Sequence, residues 1–186
     1  NLLEGGSLRR NGGSYGGLGG HGSAERLVNG TYGSFRDPNE LGSGGGTDSG
    51  VAGNGGGLVR IDAHSMQIDG AILADGGPGS NTWSGGGSGG GIKVVSASIT
   101  GGGRISANGG NSAGNSGGGG GGRVALLFND ASGFDVGNIT ALGGINGRDH
   151  GTPGTIYLEH PDALLGHLIV DAAGANVPSN YTPFLS

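Results

Sequence analysis

Six consecutive glycines, Gly117 to Gly122, run straight into the apolar stretch Arg123-Val-Ala-Leu-Leu-Phe128. That junction constrains the fold more than any other feature. Glycine makes up 51 of the 186 residues, against an average usage of about 7 %. So much glycine serves a collagen helix, a disordered linker, or an ordered fold in which backbones approach closely. Collagen needs glycine at every third position together with abundant proline. Only 6 prolines are present, and the run at 117–122 breaks any triplet. A linker has no use for evenly spaced apolar segments such as Leu58-Val-Arg-Ile61 and Val124-Ala-Leu-Leu-Phe128. Ordering a glycine costs about 0.5–1 kcal/mol more than ordering alanine, so an ordered fold must use the close approach that glycine permits.

One motif recurs along the chain. It consists of a glycine, one residue, an aliphatic residue, two or three more, and a glycine pair. It reads Gly70-Ala-Ile72-Leu-Ala-Asp-Gly76-Gly77, Gly103-Arg-Ile105-Ser-Ala-Asn-Gly109-Gly110 and Gly137-Asn-Ile139-Thr-Ala-Leu-Gly143-Gly144. Gly6-Ser-Leu8 to Gly13 fits, and Gly166-His-Leu168 to Gly174 is a looser copy. Glycines leading into an apolar stretch precede the later four copies, at Gly57, Gly91, Gly122 and Gly154. Alignment on those glycines predicts one aliphatic column of Ile61, Val95, Leu126 and Leu158, and a second of Leu8, Ile72, Ile105, Ile139 and Leu168. Residues beside them (Ser7, Ala71, Arg104, Asn138, His167) are polar or small, the period-two signature of a strand.

Helical spacing is absent, because glycine interrupts every candidate helix. The expected fold is all-β: a glycine-rich, parallel β-solenoid-like repeat array, with polyglycine II helices between the strands as a variant. Residues 1–174 read as one repeat domain, with an irregular excursion at 13–56 that carries Tyr15, Tyr32, Phe35 and the turn Asp37-Pro38-Asn39. Residues 175–186 read as a C-terminal tail. The array opens mid-repeat, so one strand edge needs a partner. The apolar tail residues Tyr181, Phe184 and Leu185 are candidates for strand donation to such an edge. The chain also opens on Asn1 rather than Met, which leaves room for an upstream region or leader.

The net charge of −5 and the 9 scattered basic residues disfavour nucleic-acid binding, which needs clustered Lys and Arg. No apolar run approaches the ~20 residues of a membrane span. The absence of cysteine excludes disulfides, thiolate metal sites and a Cys nucleophile.

Gly101-Gly-Gly-Arg-Ile-Ser-Ala-Asn-Gly-Gly, the glycine run into Arg123-Val-Ala-Leu-Leu-Phe, and Pro153-Gly-Thr-Ile-Tyr-Leu followed by His167-Leu-Ile-Val-Asp together resemble a glycine-rich repeat of large surface proteins of bacteria and eukaryotes. Tyr32-Gly-Ser-Phe and Asp37-Pro-Asn-Glu-Leu-Gly-Ser-Gly-Gly-Gly are similar to part of the same pattern. The composition is also loosely similar to polyglycine regions of phage tail-tip adhesins and some receptor ectodomains. The resemblance covers most of the chain, from Gly5 to about Gly174. It implies an extracellular or cell-surface location, a structural or adhesive role, and no catalytic residues.

Candidate chemistry is sparse. Asn29, Asn138 and Asn180 head Asn-X-Ser/Thr sequons, candidate N-glycosylation sites in a eukaryotic secreted protein. His21, His64, His150, His160 and His167 lack metal-ligand spacing. Asp62 with Asp69, and Asp149 near His150, could pose as acid–base pairs, but no nucleophile–base–orienter set is legible. Asp48, Asp69 and Asp75 do not follow the calcium-loop pattern. The run Gly117–Gly122 precedes a strand, whereas a phosphate loop follows one and opens a helix. Trp83 sits at a glycine-rich turn, where it either packs on polyglycine or presents a contact face. The expectation is a structural subunit or repeat segment of an extracellular filament or surface protein, with no cofactor, that self-associates or continues a larger array through β-edges. The alternatives are an adhesin that recognises glycans or a receptor through its glycine-rich loops, and an ice-binding protein. The last lacks Thr-X-Thr ladders.

Overall fold

The computed structural model describes residues 7–22, 27–145, 148–162 and 164–173. The fold is a parallel β-solenoid of about three turns. Its long strands are β1 (Leu58–Gln67), β3 (Gly91–Gly101), β5 (Arg123–Phe134) and β7 (Thr155–Glu159). Each of the first three is followed by a short return strand: β2 (Ala71–Leu73), β4 (Arg104–Ser106) and β6 (Ile139–Thr140). A final strand, β8, spans His167–Ile169. The large sheet has the order β1-β3-β5-β7-β8, and the small one β2-β4-β6. All pairings are parallel except β7 with β8.

The core lies between the sheets. The large sheet contributes Ile92, Val94, Val124, Leu126 and Ile156, and the small sheet with its exits contributes Ile105, Ala107, Ile139 and Ala141. The return-strand column Ile72–Ile105–Ile139 forms as expected. Its two outer members do not join it: Leu8 is 52 % exposed, and Leu168 pairs with Tyr157 in the large sheet. The long-strand column also differs by one residue. Ile61 pairs with Val94, which continues to Leu126 and Leu158, while Val95 aligns with Asp62 and Leu127 on the outward face. Gly91 is itself the first strand residue, opposite Leu58, so Gly90 rather than Gly91 is the counterpart of Gly57. A one-residue slip turns every side chain to the other face.

The glycine segments form the other half of the molecule. Residues 117–122 lie at its centre. Gly117 and Gly120 donate to Arg10 and Gly13, Gly118 and Gly121 to Asp149 and Thr152, and Gly119 and Gly122 to Gly110 and Ala107. Their carbonyls accept in the same rotation: from Gly86 and Gly89, from Gly20 and Gly17, and from Gly144 and Thr155. These bonds measure 2.7–3.1 Å. The direction repeats every third residue, the symmetry of a polyproline-type screw with three residues per turn and no internal hydrogen bonds. The solenoid strands are therefore backed by a bundle of laterally bonded polyglycine helices. Glycine is required there by contact. A Cβ on Gly119 would lie 1.9 Å from the Gly87 oxygen, and one on Gly110 1.9 Å from the Gly77 oxygen.

The stretch 13–56 divides between the two halves. Gly13, Gly17 and Gly20 bond into the bundle, as do Gly42, Gly46, Gly53 and Gly56. Among the described residues, about 30–41 departs from the bundle and crosses the outward face of the large sheet.

Candidate interaction surface

Three features could act on another molecule: the segment across the sheet, a cluster of turns at one end of the bundle, and the open first turn of the solenoid.

The crossing segment is held by one residue from each long strand. Arg60 on β1 donates through Nη1 to Asp37 Oδ1 (3.0 Å) and to the Pro38 carbonyl (3.0 Å). Lys93 on β3 reaches the same Asp37 oxygen at 2.7 Å. Those two cations hold the Asp37 carboxyl below its ordinary pKa, chiefly through the hydrogen bond from Lys93 and then that from Arg60. Arg123 on β5 donates Nε to the Tyr32 carbonyl at 3.0 Å and Nη1 to Thr155 Oγ1 at 3.3 Å. Tyr157 on β7 packs edge-on against Phe35, with centroids 5.4 Å apart. Beneath the segment, Tyr15 stacks on Tyr32 at 4.8 Å and donates to Glu40 Oε2 at 3.1 Å. The guanidinium of Arg123 lies 5.6 Å from the Tyr15 ring centre. Burial raises the pKa of both tyrosines and lowers that of Arg123. Gly91 leaves room for this stack: a Cβ there would meet the Tyr15 hydroxyl at 3.2 Å and the Glu40 carbonyl at 2.9 Å. The cluster is filled by its own side chains, so it acts as a clamp rather than as a binding pocket.

Turns between glycine helices gather around Asp48, Trp83 and Ser116. Asp48 N–H donates to the Trp83 carbonyl at 3.1 Å, and Ser116 Oγ to the Thr82 carbonyl at 2.8 Å. Arg10 ties the cluster together. Its Nε lies 2.6 Å from Asp48 Oδ2, and its guanidinium carbon 4.2 Å from the centre of the Trp83 ring. Trp83 thus packs on Arg10, and 42 % of it stays exposed.

The third feature is the first solenoid turn. The β7 end of the large sheet is covered by antiparallel β8, but β1 has no strand on its outer side among the described residues. The effect on burial is direct. Val94 and Leu126, in interior turns, are 0 % exposed, whereas Ile61 in the same column is only half-buried. Ile105 is 0 % exposed, whereas Ile72 is half-buried. Gly91 N–H donates to the Gly57 carbonyl. In a parallel ladder that phase turns the N–H and C=O groups of Leu58, Arg60 and Asp62 outward, away from β3. A side-chain ladder ends at the same plane. Asp75 Oδ1 accepts from Asn108 N–H at 2.7 Å, and Asn108 Oδ1 from Leu142 N–H at 2.8 Å, so each Asx side chain caps the amide of the next turn. Among the described residues, no side chain of an earlier turn caps the amide of Asp75 itself. The Asx residues ahead of the glycine pairs were visible in the repeat, but only the stacking register reveals their role.

The remaining sequence candidates are scattered. Asn29 and Asn138 are half-buried. Asn138 ends a short 3-10 turn (Val136–Asn138) at the entrance to β6, on the rim of an open recess with Asp69, Gly103 and Arg104. Asn180, Tyr181, Phe184 and Leu185 lie outside the described residues. Asp149 pairs with His21 at 2.7 Å. Asp69 accepts from Gln67, and Asp75 is taken up by Ser106 and Asn108. Among the described residues no three His, Cys, Asp or Glu side chains gather as a metal site, and no helix is long and apolar enough to cross a membrane. The chain matches no family model, no curated protein and no solved structure at significance.

Proposed function

We propose that the chain is a structural unit of an extracellular filament or surface protein, joined to further β-structure through the open edge of its first turn. The observation that carries this reading is the asymmetry of the stack, which is closed by β8 at one end and, among the described residues, unpaired at the other. Terminal repeats of a solenoid need a covering element, and an uncovered strand pairs with whatever strand is offered. A bundle in which successive glycines bond in turn to three neighbouring segments suits a stiff spacer, because it rigidifies the module without a large apolar core. We place the second contact, which a filament needs in addition to the edge, in the apolar tail residues Tyr181, Phe184 and Leu185, which lie outside the described residues. Negative-stain microscopy and sedimentation of the 186-residue chain test the reading. Filaments or regular oligomers support it, and removal of residues 175–186 then shortens filaments to small oligomers. A strict monomer at all concentrations, with exposed β1 amides in hydrogen exchange, refutes it.

A second reading, adhesion to glycans through the glycine-rich turns, is favoured by the half-exposed Trp83, whose ring is held by Arg10 beside Asp48. Aromatic rings beside hydrogen-bonding groups are suited to stack on sugar faces. Glycan-array binding by the chain that is lost in Trp83→Ala supports it, and an array without signal removes it.

A further inference from the structure

Resting on the edge-joining reading, we propose that the partner at the open edge is a second copy of this chain, paired antiparallel through β1 in a single register centred on Ile61. Three observations carry the proposal. First, the outward-pointing backbone groups belong to Leu58, Arg60 and Asp62, as the Gly91-to-Gly57 hydrogen bond dictates. An antiparallel copy of β1 therefore bonds through its even-numbered residues, and only registers that set even residues opposite even residues complete the ladder.

Second, those residues are electrostatically self-complementary. Arg60 holds Asp37, Pro38 and Asn39 through Nη1 alone; with Ile61 on the two-fold axis, the Nε and Nη2 edge of Arg60 in each copy is left to face Asp62 of the other. Sliding the copies by two residues one way sets Arg60 against Arg60, and the other way Asp62 against Asp62. Like charges directly opposite destabilise a strand pair, and opposite charges stabilise it. Asp62 is exposed and makes no ion pair or hydrogen bond among the described residues, whereas Asp37, Asp48 and Asp149 are each paired within the chain.

Third, the opposite face of the same register is apolar throughout. It sets Ile61 against Ile61 and Val59 against Ala63. These side chains are half-buried in the single chain, while their counterparts Ile92, Val94, Val124 and Leu126 are fully buried. The pairing thus continues both the sheet and the core, and it makes an isologous contact in which one patch serves both copies.

The chain has no cysteine, so Ile61→Cys is a clean probe. Residue 61 takes a non-hydrogen-bonded position facing itself, with a Cα separation of about 4.5 Å, which is within disulfide range. Under mild oxidation Ile61→Cys is expected to yield a covalent dimer, and Val59→Cys alone is not. A mixture of Val59→Cys and Ala63→Cys chains is expected to give the cross-linked heterodimer. In sedimentation equilibrium, Asp62→Arg, which sets arginine against Arg60, is expected to weaken dimerisation at least tenfold, and Asp62→Asn, which removes the attraction without adding repulsion, to weaken it less. Circular dichroism of each variant checks that the sheet persists. Absence of the Ile61→Cys cross-link overturns the proposal. If β1 amides are nevertheless protected from exchange in the assembled protein, another strand occupies the edge and the edge-joining reading survives. If they are unprotected, both fall.

Discussion

The bundle around 117–122 predicts opposite fates for two chemically identical substitutions. In Gly119→Ala the new methyl would sit 1.9 Å from the Gly87 oxygen and 2.5 Å from its carbonyl carbon. The obstacle is backbone, so no rotamer change relieves it. The segments must part by more than 1 Å before that contact reaches even 3.0 Å. Three hydrogen bonds lie in the path: Gly110 N–H to Gly87, Gly119 N–H to Gly110, and Gly144 N–H to Gly119, at 2.7, 2.9 and 2.7 Å. At about 1 kcal/mol each their loss costs roughly 3 kcal/mol. Restricting the unfolded chain returns about 0.4–1 kcal/mol. The net of about 2–3 kcal/mol lowers Tm by roughly 4–12 °C in a domain of this size. Gly57→Ala meets no atom within 4 Å and has no positive φ, so it keeps the entropic gain and raises Tm by a few degrees at most. Scanning calorimetry of both variants beside the parent is the assay. Equal melting temperatures for the two variants would refute the account, because they would mean that the bundle yields freely and that its glycines are not sterically required.

Other expectations follow from the clamp and the Asx ladder. Tyr15 and Tyr32 have raised folded-state pKa values, chiefly from burial. Their contribution to stability is therefore complete below the unfolded tyrosine value of about 10 and is lost as pH rises through the folded values. Absorbance titration is expected to show these phenols ionising only with unfolding, and normal reversible titration of both would contradict this. Asp37 is shifted the other way, so its latch persists at neutral pH and is lost only as pH falls through its depressed folded value, below the ordinary aspartate value of about 3.9. Asp37→Asn is expected to raise amide exchange in the 30–41 segment at neutral pH, and unchanged exchange would remove the latch. Asn108→Ala leaves Leu142 N–H without its acceptor and is expected to cost about 1 kcal/mol in urea denaturation, a loss that Asn108→Asp largely avoids. Arg123→Lys cannot reproduce both Nε to Tyr32 and Nη1 to Thr155, and is expected to cost about 1–3 kcal/mol. A value near zero would mean that the guanidinium is not the tie between β5 and the crossing segment.

The solenoid was legible because its return-strand repeat is short and regular. Ile72, Ile105 and Ile139 could be aligned by eye, since each lies two residues after a glycine and four or five before a glycine pair. The long strands were harder to place. A glycine run offers no internal landmark, so the sequence does not separate Gly90 from Gly91 as the counterpart of Gly57, and a one-residue slip there puts Val95 in the place of Val94 beside Ile61. What separates Val94 from Val95 is that Gly91 stands opposite Arg123 in the register, at a position where a Cβ would crowd the Glu40 carbonyl and the Tyr15 hydroxyl. That constraint links residues 15, 91 and 123, far apart in the chain, and no local pattern encodes it. The crossing segment was hidden for the same reason, since Arg60, Lys93 and Tyr157 look like ordinary surface positions until the register sets them in one row. The polyglycine bundle lies between these cases. Polyglycine helices are only a variant reading of the glycine content, and their three-fold hydrogen-bond order can be read only from which carbonyl faces which amide. The open edge inherits both kinds of information. The repeat places no glycine-led long strand before β1, whereas the proposed pairing of Arg60 with Asp62 across a two-fold axis depends on the phase of the ladder, which one hydrogen bond from Gly91 to Gly57 determines.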